Sequence, residues 1–167
     1  MIRKDVIPGT LTLFTGKMGA GKSTMARQIA SERNAVLISE DDWLSTLYPN
    51  DIASFNDFLH YSSLLKPLIK AHVVNILNAG ADVVMDFPAN TVKQRKWFKE
   101  LIDEVKTEHE LIYLNVDHNT CLKRIAKRRT ENPERAKFDT EAVFNEVSRY
   151  FQEPEQDEGF NIREKRA

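Results

Sequence analysis

Two apolar patterns alternate along this chain. Short unbroken runs at Leu11–Thr15, Ala35–Ser39, Val83–Met85 and Leu111–Val116 read as buried strands. Between them the apolar positions recur at helical spacing. A helix is expected from Ser23 to Ala30, and another from His60 to Asn78 carrying Leu65, Ile69, Val73, Ile76 and Leu77. Pro67 lies inside that second pattern and predicts a kink or a late start, while Gly80 ends it. A third helix buries Trp97, Leu101, Ile102 and Val105, with Asn90 or Thr91 as its cap. A fourth runs from Thr120 to Arg129, and a fifth carries Val143, Phe144, Val147, Tyr150 and Phe151 behind Asp139 or Thr140. A short helix at Asp42–Tyr48 is stopped by Pro49, residues 50–58 read as irregular or weakly helical, and Phe160–Ile162 reads as a short last strand. Strands that alternate with helices imply an α/β fold, a parallel sheet covered on both faces. Right-handed crossovers gather the strand C-termini on one edge, where ligands of such sheets bind.

The segments after the strands therefore carry the chemistry. After the first comes Gly16-Lys17-Met18-Gly19-Ala20-Gly21-Lys22-Ser23, which fits G-x-x-x-x-G-K-[ST] between a strand and a helix. Glycines let backbone N–H groups close on phosphate oxygens, and the helix N-terminus points its dipole at the same anion. Lys22 supplies a cation for the β- and γ-phosphates, the Ser23 hydroxyl suits Mg²⁺, and Thr24 steadies the α-phosphate. Lys17 meets phosphate or lies in solvent, with solvent favoured. The nucleotide is read as ATP, since no guanine-type Asn/Thr-Lys-x-Asp signature is present.

Carboxylates stand at two other strand ends. Phosphoryl transfer needs a metal held and an acceptor hydroxyl relieved of its proton. Asp41, after the second strand, is the candidate general base, and Asp86, after the third, the candidate Mg²⁺ holder. Asp42 reads as a helix N-cap, Glu40 as a solvated loop charge and Asp117 as a cap. Trp43 either walls an acceptor pocket or packs into the core. From Cys121 to Lys137 seven basic residues face only Glu131 and Glu134. That stretch reads as a mobile lid over about residues 124–138, with Arg124 and Arg128 one helical turn apart on one face. Charge on the transferring group would be stabilised there. Glu153, Glu155, Asp157 and Glu158 read as a solvated acidic loop, and Arg163–Arg166 as a frayed tail.

Composition narrows the partners. A chain of 167 residues is long enough for one domain, 1–167, with a real core. Its net charge of −1 disfavours a dedicated duplex-nucleic-acid binder. The single cysteine, Cys121, forms no internal disulfide, and Met1–Asp5 lacks the apolar stretch of a signal peptide. A cytoplasmic protein without a membrane span, monomeric or homodimeric, is the expectation. The histidines have no zinc-ligand spacing.

Taken together, Gly16–Thr24, Ser39–Leu44, Val84–Thr91 and Glu158–Asn161 resemble the zeta-toxin/polynucleotide-kinase-like group of P-loop ATP-binding proteins. The resemblance implies a three-layer P-loop kinase fold, a five-stranded parallel sheet with helices on both faces and an arginine-bearing lid. It implies a base at Asp41, an Asp and Asn after the third strand at Asp86 and Asn90, and lid arginines at Arg124 and Arg128. It also implies an adenine site near the lid and the Glu158-Gly159-Phe160 turn. The chain departs from polynucleotide 5′-hydroxyl kinases at Glu40 and Leu44, where those enzymes carry arginines. Two missing cations favour a small-molecule hydroxyl acceptor over nucleic acid. Three readings remain: a small-molecule kinase, a polynucleotide 5′-hydroxyl kinase, and an ATP-dependent switch without an acceptor.

Overall fold

The computed structural model describes residues 5–166, so Met1–Lys4 of the leader reading lie outside it. Five strands form one parallel sheet: β1 (Leu11–Thr15), β2 (Val36–Ser39), β3 (Val83–Asp86), β4 (His109–Asn115) and β5 (Ile162–Arg166), in the order β2-β3-β1-β4-β5. Six α-helices connect them: α1 (Lys22–Arg33), α2 (Glu40–Leu47), α3 (Phe55–Asn78), α4 (Val92–Val105), α5 (His118–Glu131) and α6 (Glu141–Ser148). This is the three-layer α/β fold expected.

Alternation along the strands feeds a core on each face. Leu11, Leu13, Val83, Met85 and Leu111 pack against α3 and α4 through Leu65, Ile69, Val73, Leu77, Phe98 and Leu101. Phe14, Val84, Ile112 and Leu114 face the other way, onto Ala26 and Ile29 of α1, Cys121 and Ile125 of α5, and Phe144 of α6. No helix among the described residues is long and apolar enough to cross a membrane.

Several boundaries differ from expectation, each for a local reason. α3 starts at Phe55, because Ser54 and Asp57 form a capping box, and it runs on through Pro67. α2 starts at Glu40, since Ser39 is the cap and accepts from the Asp42 amide at 3.3 Å; Asp42 is therefore inside the helix. Thr91 caps α4 and Thr140 caps α6, so neither Asn90 nor Asp139 spends its side chain on capping. Asp117 does cap α5. Tyr150 and Phe151 lie beyond the end of α6, and Trp97 is only partly buried.

The largest correction is at the C-terminal segment. Residues expected to fray, Arg163–Arg166, form the edge strand β5, in register from Leu111↔Ile162 to Asn115↔Arg166. The strand has no apolar pattern because its residues after Ile162 are exposed. Its side chains are held by charge instead: Arg163 pairs with Glu110 at 2.8 Å, and Asn115 donates to Glu164 at 2.8 Å.

Candidate active site

β1 ends in the middle of the sheet, and the loop after it makes a concave turn. Gly16, Gly19 and Gly21 take φ values of +154°, +80° and +99°, which disfavour residues with a Cβ. Space forbids one too: a Cβ on Gly19 would lie 2.7 Å from the Cys121 carbonyl oxygen, and one on Gly16 would lie 2.8 Å from that of Leu114. Gly21 is the left-handed cap of α1, with no side chain bonded over the helix end. The first amides of α1 are thus left for a ligand.

Lys22 curls back over this loop, its ammonium donating to the carbonyls of Gly16 and, at 3.0 Å, Lys17. Burial lowers its pKa to about 8; Asp86 and Asp41 oppose the shift and Arg128 adds to it. An anion at the loop would restore the full charge. Burial raises the pKa of Asp86, and the Ser23 hydroxyl close to its carboxylate opposes the shift. A hydroxyl and a carboxylate side by side form a hard oxygen pair of the kind Mg²⁺ takes, so these residues fit the ion. Lys17 is half-buried rather than free in solvent, and lines a crease with Tyr113, Phe151 and Glu153. Thr24 is exposed and lines a groove of about 490 Å³ with Gly21, Gln28, Arg124, Lys165 and Arg166.

That groove does not include the turn near which the resemblance implies an adenine site. The Glu158-Gly159-Phe160 turn precedes β5, whereas the groove meets the other end of the strand at Lys165 and Arg166. Nor is the acidic loop wholly solvated. Glu158 accepts from Arg95 Nε at 2.7 Å and Nη2 at 3.2 Å, and Arg95 is fully buried.

On the other side of the loop, Asp41 is exposed in the first turn of α2. Its charge is felt at Lys22, Asp86 and Glu40. Glu40 is the surprise. It is 2% exposed, and its Oε2 accepts from Ser62 Oγ of α3 at 2.9 Å. Burial raises its pKa, with the Asp41 and Asp86 charges adding to the effect and Lys66 opposing it. Leu44 is also buried, in the core under α3, so its apolar character serves packing. Trp43 is partly buried against that same core, with His72 6.4 Å from its ring.

Asn90 joins the two sides. Its Oδ1 accepts from the Gly16 amide at 3.0 Å and from Thr15 Oγ1 at 3.3 Å. Arg95 then fixes the same loop through the Ala89 carbonyl at 3.0 Å. Arg95 escaped the sequence reading, although a signal existed: it falls in register with Phe98, Leu101, Ile102 and Val105 on the buried face of α4. Arg124 donates to the Ala20 carbonyl at 2.9 Å, and Arg128 is paired with Asp139.

The chain matches the AAA_33 model, an AAA domain, over residues 11–154. It belongs to that family. Its fold is similar to a candidate kinase from Chloroflexus aurantiacus, 17% identical, with TM-score 0.74 over 98% of this chain and 87% of that one. A sugar kinase from Janibacter sp. is 16% identical, with TM-score 0.64 over 95% and 86% of the two chains. The Mycobacterium tuberculosis APS kinase, in complex with AMPPNP and APS, is 15% identical, with TM-score 0.62 over 95% and 88%. The AAA_33 domain thus has the fold of P-loop kinases.

Proposed function

We propose that this protein is an ATP-dependent kinase that transfers the γ-phosphoryl group to a hydroxyl of a small molecule. The observation that carries the reading is the convergence of Lys22, Ser23 and Asp86 around the phosphate loop, with the Asp41 charge acting on both Lys22 and Asp86. A structural glycine turn has no use for a buried ammonium facing two carboxylates. Both sides of a transfer reaction are represented.

In this reading the loop amides, Gly16 to Thr24, cradle the phosphates and Lys22 neutralises charge on the transferring group. Ser23 and Asp86 would hold Mg²⁺, which would supply positive charge against the phosphates. Asp41 takes the proton of the acceptor hydroxyl as its oxygen bonds to phosphorus and the bond to the β-phosphate oxygen breaks, releasing ADP. Arg124 and Arg128, on the basic helix behind the loop, stabilise the equatorial oxygens. The buried carboxylate of Glu40 and the packed Leu44 add no cation to the acceptor side, which supports a small acceptor over a nucleic-acid end.

The test is transfer from γ-labelled ATP to a panel of hydroxyl compounds and to a 5′-hydroxyl oligonucleotide. Transfer to a small molecule that fails in Asp41→Asn supports the reading. Transfer to the oligonucleotide alone replaces the acceptor class. ATP binding with no transfer to any acceptor, and an unchanged Asp41→Asn protein, leaves a nucleotide switch.

A further inference from the structure

Helix α5 turns one face to the phosphate loop. Cys121 and Ile125 leave no room for a Cβ on Gly19, and Arg124 donates to the Ala20 carbonyl. Arg128 follows one turn later on that face, and its charge reaches Lys22. Its guanidinium is not loose. Nε donates to Asp139 Oδ2 at 2.8 Å and Nη2 to Oδ1 at 2.6 Å, a side-on fork. Arg135 Nε adds a third bond to Oδ2 at 3.2 Å. Asp139 is fully buried, while the two arginine side chains remain 35% and 40% exposed.

The arrangement is lopsided in a useful way. One buried carboxylate binds two cations, so the cluster keeps a net positive charge. The fork occupies the Nε and Nη2 edge of Arg128, and Nη1 has no bond to Asp139. A long side chain that would otherwise sample many rotamers is therefore anchored before any ligand arrives, with donors to spare. Thr140 provides the cap of α6, so Asp139 is not needed there.

We infer that Asp139 is a positioning residue, holding Arg128 by one edge so that the other serves the γ-phosphate of bound ATP. Resting on the kinase reading above, this makes the lid arginine pre-set rather than recruited by closure. It also assigns Arg135 a share in neutralising Asp139, so that the carboxylate does not repel the nucleotide.

Calorimetric titration of the full chain with MgATP and MgADP tests it without an acceptor. Wild type should bind ATP more tightly than ADP. Asp139→Asn should narrow that preference by about tenfold, the scale of one charge-assisted hydrogen bond, with ADP affinity within about twofold. Arg128→Met should do the same, and the double variant no more. An Asp139→Asn protein that melts earlier but keeps the full ATP preference overturns the inference and leaves the kinase reading standing. Wild type that binds neither nucleotide overturns both. Should Asp139→Asn fail to fold, arginine side-chain NMR of wild type decides. An Arg128 Nε–H protected from exchange with and without an ATP analogue supports the fork; one that exchanges freely, or is released by the analogue, overturns it.

Discussion

The phosphate-loop side of the site and the side proposed for the acceptor are built from different materials. On the loop side, position is set by backbone: three left-handed glycines, a helix end without a side-chain cap, and carbonyls that hold Lys22. On the acceptor side it is set by side chains from distant elements, such as Glu40 of α2 bonded to Ser62 of α3. A backbone cradle suits a ligand group that never changes, a polyphosphate. A cleft made of side chains can be altered residue by residue without disturbing the fold. Where a kinase domain must vary its acceptor, variation belongs on the second side.

The largest effect that would break this contrast is at Lys22. Lys22→Met should cost transfer on the order of 10³-fold or more, while the melting temperature holds or rises because a buried ammonium is removed. Steady-state rates beside a thermal melt will tell; activity within tenfold of wild type would mean the loop works by amides alone. Next is Arg95, which ties the loop after β3 to the turn before β5 through Ala89 and Glu158. Arg95→Met strands a largely buried carboxylate and should lose about 3–5 kcal/mol in urea unfolding. A loss under about 1 kcal/mol would show the bridge to be dispensable.

Asp41→Asn comes third. It should lower kcat about 10²–10³-fold and leave nucleotide affinity unchanged, so that the two sides separate cleanly in one variant. A matching loss of ATP affinity in titration would merge them. The smallest effect is at Glu40. Its pKa is raised by burial above the ordinary 4.5, so the folded state favours the protonated acid. The unfolded chain releases that proton first, and folding loses stability as pH climbs from 4.5 through the folded pKa. Glu40→Gln keeps a partner for Ser62 without the charge. It should match wild type near pH 4 and melt higher at pH 7.5; equal melting temperatures at both would place the carboxylate in contact with water.

Much of this was legible in the residues, and unevenly so. The strand runs, the helices and the phosphate loop were readable because each depends on local spacing: period, caps and glycines. Asp41 and Asp86 could be singled out because strand C-termini converge in parallel sheets. Glu40 was misread because an ionisable residue beside two aspartates looks solvated, and its partner Ser62 is 22 positions away. Glu158 was misread for the same reason, its partner Arg95 being 63 positions away. A last strand was legible only at Phe160–Ile162; its run through Arg163–Arg166 was not, because an edge strand held by ion pairs has no apolar signature.

By itself, then, the sequence determined the layered fold and the triphosphate-type loop, since short-range sterics and hydrophobic period specify both. Only the tertiary structure decided which polar residues are buried and what neutralises them: Arg95 with Glu158, Arg128 and Arg135 with Asp139, Glu40 with Ser62. The physical reason is that burial of charge is tolerable only with a partner, and the partner is chosen by three-dimensional proximity. Spacing along the chain does not encode that choice.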